Sequence, residues 1–159
     1  MRGQGAIFAA QSSHHCTPPE VLDCVRRLGV IGLDPCSNAR SEVGARVEWR
    51  RAGLDHEWLG YGLVYVNPPY GRDVQSWTRR CAETGDRGEN VVGLLPVRSD
   101  SRWWHEDVAR AAAICFWRGR LRFLGACSSA PFPSAVVFWG GGEFAHAARA
   151  AFGAVGWIP

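Results

Sequence analysis

A chain of 159 residues that is 47% hydrophobic has enough apolar material for one packed domain. No apolar run reaches the roughly 20 residues of a membrane span, and the patch in MRGQGAIFAAQSSHH is too short for a signal peptide, so a cytoplasmic protein is expected. The net charge of +3 is a weak pull toward polyanions, but all 18 basic residues are arginine, whose fork suits phosphates and base edges; a GC-rich coding bias would give the same inventory.

Six cysteines are scattered with no CxxC spacing, which argues against a disulfide framework and a zinc site and for buried reduced thiols. Eight tryptophans are many for this length, and the Trp103-Trp104 pair is expected to be partly exposed.

Residues 1–16 are polar and irregular. Pro18 to Leu28 (PPEVLDCVRRL) predicts a helix with Thr17 as its N-cap and Glu20 completing a capping box. Gly29 stops it, and Val30 to Leu33 predicts a buried strand ending at Asp34-Pro35. Residues 37–45 are loop-like, and Arg46 to Trp49 suits a further strand. Leu63 to Val66 (LVYV) is continuously apolar, as in a strand covered on both faces, and the prolines that follow forbid its continuation. Asp73 to Ala82 predicts a helix, Val91 to Leu95 a buried strand ended by Pro96, and Ser101 to Ala112 a helix. Ala113 to Trp117 and Ser134 to Trp139 predict two more strands, and Glu143 to Phe152 a closing helix. Strands alternating with helices predict a three-layer α/β domain.

Three motifs sit where predicted strands or helices end. In open α/β sheets, ligands bind beyond the carboxyl ends of strands. Asp34, in GLDPC, is a carboxylate at such an end, suited to an ammonium or hydroxyl, or to capping a local turn. Thr17 offers a hydroxyl beside unpaired helix N–H groups, which suits a carboxylate or simply caps the helix. Asn67-Pro68-Pro69-Tyr70 is more specific. An asparagine oxygen and a proline carbonyl side by side accept two bonds from an exocyclic amine, and the tyrosine ring offers a stacking face. Accepting both N–H bonds draws a conjugated nitrogen toward tetrahedral geometry and localises its lone pair for attack.

TPPEV at Thr17–Val21, LDPC at Leu33–Cys36 and VNPPYG at Val66–Gly71 resemble, in that order, S-adenosylmethionine-dependent amino-methyltransferases acting on adenine in DNA. The chain is most similar to the small phage-type, Dam-like DNA adenine-N6 methyltransferases, also through Gly53-Leu54 with Trp58, LLPVRSDSRWWH (Leu94–His105) and GRLRF (Gly119–Phe123). The resemblance implies a Rossmann-like class I methyltransferase fold, a mostly parallel sheet with an antiparallel C-terminal strand. It implies a single catalytic domain over residues 1–159, with 1–12 flexible and no separate target-recognition domain. S-adenosylmethionine would lie against Thr17, Pro18, Asp34, Pro35, Cys36, Leu54 and Asn67. Asn67, Pro68, Pro69 and Tyr70 would form the catalytic motif, with Phe123 enclosing the base opposite Tyr70. Two departures accompany this: Ser37 and Asn38 replace the usual glycine pair, and Ala52 stands where relatives carry an acid. Glu48 and Glu42 are both candidates for the cofactor ribose.

The expected reaction is methyl transfer to the N6 amine of adenine in DNA, with no metal and no histidine base. A duplex substrate requires base flipping. Arg118, Arg120 and Arg122 would share one face of a strand beside Phe123 and, with Arg98 and Arg102, grip phosphates; arginines on a solvated edge strand equally deter edge pairing. No membrane or obligate protein partner is expected, and a phage or prophage source within a bacterium follows from the resemblance alone. The alternatives are the same chemistry on RNA or a protein glutamine, or a non-catalytic DNA-binding relative. A nucleotide-binding oxidoreductase lacks a GxGxxG after Leu33.

Overall fold

The computed structural model describes residues 15–159; the flexibility expected of residues 1–12 lies outside them. In chain order the elements are α1 (Pro19–Arg26), β1 (Ile31–Asp34), β2 (Val47–Glu48), a 3₁₀ turn (Gly53–Asp55), β3 (Leu63–Val66), α2 (Val74–Asp86), β4 (Asn90–Pro96), a π-helical turn (Trp104–Val108), β5 (Ala113–Trp117), β6 (Ser134–Trp139), α3 (Gly142–Phe152) and β7 (Gly156–Trp157).

The strands form one seven-stranded sheet in the order β2-β1-β3-β4-β6-β5-β7. β1 pairs in parallel with β2 and β3, and β3 with β4. β6 then enters antiparallel between β4 and β5, and β7 adds antiparallel to β5. All four residues of β3 are buried, as an apolar run covered on both faces requires. Leu63 and Tyr65 face a core shared with Val21, Leu22 and Val25 of α1 and Phe144 and Phe152 of α3. Val64 and Val66 face the opposite core, with Trp77 and Cys81 of α2 and Trp104 beside it. The sheet is thus sandwiched between two apolar layers.

Several expectations are corrected. Pro18, not Thr17, occupies the N-cap of α1, and no side chain caps the helix there. The capping box fails because the Thr17 hydroxyl is engaged elsewhere. α2 runs four residues past Ala82. The glycine at 85 is compatible with the helix because the helix presses on β6 there: a Cβ on Gly85 would lie 2.5 Å from that of Trp139.

The segment predicted as a helix over 101–112 narrows to the π-helical turn, closed by the Ala109 N–H to the Trp104 carbonyl at 2.9 Å. The wider turn lets both tryptophans point inward, so Trp103 and Trp104 are buried, contrary to expectation, and the exposed tryptophan is Trp157. Residues 118–123 form no strand. The chain bends at Arg118-Gly119, where Gly119 has φ +80°, and then continues with Leu121 and Phe123 buried and Arg120 and Arg122 outside. β7 has no counterpart in the sequence reading. All six cysteines are free; four are buried, but Cys127 is exposed and Cys36 partly so.

Candidate active site

β1 and β3 are parallel neighbours, so Asp34 at the end of β1 and Asn67 just beyond β3 come out at the same sheet edge. Thr17, in the segment entering α1, joins them. A cleft of about 300 Å³ is lined by Thr17, Asp34, Pro35, Cys36, Asn67 and Pro69, at the small end of the roughly 300–1,000 Å³ typical of small-molecule sites.

Asp34 is buried, and its carboxyl is pushed up to about 7. Loss of solvation is the main cause. The Cys36 N–H, which donates to Oδ1 at 3.1 Å, opposes it, and the neighbouring Glu48 carboxylate reinforces it. A buried carboxyl of this kind is suited to gaining a cationic partner.

The Thr17 hydroxyl lies 2.8 Å from the phenol of Tyr65 and accepts from Asn67 Nδ2 at 3.1 Å. Tyr65 is completely buried beneath the cleft, which drives its phenol well above the usual tyrosine range. With Nδ2 tied to Thr17, Oδ1 is the acceptor that the Asn67 amide has to offer. The Cys36 thiol is also pushed well up by burial, while the Asn67 backbone N–H bonds to it.

Pro68 is buried behind the cleft. Tyr70 turns away from it: its hydroxyl donates to the Leu94 carbonyl at 2.9 Å, and its ring meets Phe123 and Phe132 edge to face at 6.0 and 5.6 Å. Tyr70 and Phe123 therefore stand nearly perpendicular, with no parallel slot between them. Arg98 lies over Phe132 at 6.0 Å, at the border of this aromatic cluster. Arg102 is instead ion-paired with Glu106 of the π-helical turn. Arg118, Arg120 and Arg122 are exposed, and Arg122 donates to the Cys127 carbonyl at 3.4 Å.

Pro18 and Leu54 do not line the cleft. Leu54 faces a neighbouring groove on α2 with Arg72, Gln75, Arg79 and Arg80, and its carbonyl accepts from Arg80 at 2.7 Å. Neither Glu48 nor Glu42 lines the cleft. Its outer wall comes instead from Ser37, Asn38, Ser41, Arg50, Arg51 and Gly53. Ser37, Asn38 and Gly53 enter the sequence reading only through the resemblance, and Ser41, Arg50 and Arg51 are missed because they belong to irregular segments with no periodic signal. Ser37 is buried, and its hydroxyl has no partner among the described residues. Gly53 packs so tightly against β1's exit that a Cβ there would fall 1.8 Å from the Pro35 carbonyl oxygen.

The cleft thus brings together a buried carboxyl, a threonine hydroxyl and a buried serine hydroxyl without a partner among the described residues. Among the described residues, no group of three or more histidine, cysteine or acidic side chains is placed to hold a metal ion, and no helix is long and apolar enough to cross a membrane. Neither a curated protein nor a solved structure matches the chain. The family model described as DNA N-6-adenine-methyltransferase (Dam) matches residues 10–136, a span that takes in every element from α1 to the middle of β6. The chain belongs to the Dam family of DNA N-6-adenine-methyltransferases.

Proposed function

We propose that this protein is a single-domain S-adenosylmethionine-dependent enzyme that methylates the N6 amine of adenine in DNA. The observation that carries the reading is the meeting of Asp34 and Asn67 in one cleft at the ends of adjacent parallel strands. The chain leaves β1 for β2 on one side and continues to β3 and β4 on the other. That makes the gap between β1 and β3 a topological switch point, where doubly wound sheets bind ligands. This order, with β6 reversed between β4 and β5, supports a Rossmann-like class I methyltransferase fold.

When bound, S-adenosylmethionine supplies an electrophilic methyl carbon. The residues of this chain hold and orient. Asp34, with Pro35 and Cys36 beside it, takes the ammonium, and Thr17 the carboxylate. Ser37 takes a polar group of the nucleoside. Asn67 Oδ1 and the Pro68 carbonyl accept the two N–H bonds of the adenine amine, localising its lone pair and aligning it for transfer. No strong base is demanded, because the nitrogen becomes cationic on methylation and then loses its proton readily. The base stacks against the aromatic group that Tyr70 forms with Phe123 and Phe132. Arg98 beside that aromatic cluster, and the exposed Arg120 and Arg122 next to Leu121 and Phe123 in the chain, suit the flanking phosphates.

The test incubates the protein with isotopically labelled S-adenosylmethionine and unmethylated DNA, followed by digestion to nucleosides and mass spectrometry. Labelled N6-methyladenine is expected from the wild type, with a loss of about 100-fold or more in Asn67→Ala. Label in RNA or protein controls alone would redirect the same chemistry to those substrates, and no transfer anywhere would sink the reading.

A further inference from the structure

In the sequence, Tyr65 reads as one apolar residue of a buried strand. Its phenol, however, lies 2.8 Å from the hydroxyl of Thr17, the same hydroxyl that receives Asn67 Nδ2. Thr17 and Tyr65 are both buried. Among the described residues the phenol makes no hydrogen bond other than the one to Thr17.

The distance alone allows either oxygen to be the donor, and burial chooses between them. If Thr17 donated to Tyr65, the phenol proton would be left buried and unpaired. Tyr65 therefore donates to Thr17. A threonine oxygen has two lone pairs, and here one receives Tyr65 and the other Asn67 Nδ2. Its own proton is then directed away from both, toward the cleft that Thr17 lines.

We propose that Tyr65 is a positioning residue that sets the polarity of the site through Thr17. With both lone pairs of Thr17 occupied, Thr17 can act toward a ligand only as a donor. Asn67, with its NH₂ group turned to Thr17, presents Oδ1 as its acceptor toward an incoming amine. Without the phenol proton, a lone pair of Thr17 is released, and its hydroxyl is free to donate to Asn67 Oδ1. The amide then turns over and presents NH₂ to an incoming amine, where donor meets donor. The proposal rests on the reading of Asn67 as the acceptor for the target amine, but the hydrogen-bond direction can be tested without it.

The experiment uses the full chain with Tyr65→Phe, Thr17→Ser and Thr17→Val. Turnover on DNA is measured alongside S-adenosylmethionine affinity by calorimetry and the Asn67 side-chain NH₂ signals by NMR. Tyr65→Phe keeps the buried ring, so cofactor affinity should stay within about threefold while kcat falls about tenfold or more, the scale of a misdirected reacting group. Thr17→Ser should retain activity, and Thr17→Val should lose cofactor affinity and kcat together. In the NMR arm, slow solvent exchange of the Asn67 NH₂ protons in the wild type should become fast in Tyr65→Phe and Thr17→Val. Unchanged kcat and unchanged NH₂ exchange in Tyr65→Phe would overturn the proposal, as would parallel loss of affinity and kcat with a disordered spectrum. If the wild type transfers no methyl group, the functional reading fails, and the NH₂ exchange still decides the polarity on its own.

Discussion

Asp34 and Glu48 are register partners across the β1–β2 pair, so two acidic residues end neighbouring strands, of which only Asp34 lines the cleft. Burial of Asp34, reinforced by the Glu48 carboxylate, holds its proton on to about pH 7.

The linkage has a definite sign. The unfolded carboxyl ionises near 3.8 and the folded one near 7, so the folded state binds more protons between those values. The contribution of Asp34 to stability is therefore fully present below about pH 4 and lost as pH rises through 7. Asp34→Asn should flatten that window and raise stability at pH 8 by a few kcal/mol, since each pH unit between the two values is worth about 1.4 kcal/mol at most. The same variant should lose S-adenosylmethionine binding, whereas wild-type affinity should climb from pH 5 to 7 as the carboxylate becomes available. Denaturant titrations and calorimetry across that range check both; a pH-independent affinity would remove Asp34 from the cationic subsite.

Gly53→Ala should act on the same cleft by a steric route. Its Cβ would meet the Pro35 carbonyl oxygen at 1.8 Å and the Trp77 ring at 3.2 Å, and backbone cannot yield as a flexible side chain does. A loss of about 1–3 kcal/mol in stability is expected, the scale of overpacking, with cofactor affinity falling as the 3₁₀ turn is pushed from β1's exit. Thermal unfolding and calorimetry measure the two effects. Near-wild-type values for both would mean that the turn adjusts without disturbing the cleft.

Arg98→Ala and Arg122→Ala test the phosphate assignment. Each should weaken DNA binding similarly for different sequences and reduce the slope of log K against log salt by about 1. Unaltered slopes in both would move the backbone grip to the Arg72, Arg79 and Arg80 groove on α2.

The parts of this molecule visible in its sequence are those where local chemistry and tertiary demand agree. Leu63 to Val66 followed by two prolines suits only a buried strand with an abrupt end, which puts Asn67 at a sheet edge, and Asp34 follows from the same logic. Thr17 shows the opposite case. Its spacing to Glu20 is that of a capping box, but partners 48 and 50 residues away claim its hydroxyl, and no local pattern carries that information. Trp103 and Trp104 are expected to be partly exposed because eight tryptophans are many for this length, but where the π-helical turn begins both pack into the core beside α2, a placement that composition does not carry. The alternation of Arg118 to Phe123 reads as a strand, but the chain bends at Gly119 and its backbone partners are Val155 and Ala130 in irregular segments. Tyr65 is hidden by being both a good strand residue and a hydrogen-bond donor.

The position of β6 bears on how the protein comes into being during synthesis. Although it is among the last strands made, it sits inside the sheet, with all six residues buried and β4 and β5 on its flanks. Until residues 134–139 have left the ribosome, β4 has an open edge and β5 has no place in the sheet. Asp34 and Asn67 are translated early, yet the sheet that braces them closes only after most of the chain has emerged. The nascent protein must therefore pass through a stage with long-range pairings unmade and apolar strand edges exposed, the stage at which such chains are most prone to aggregate.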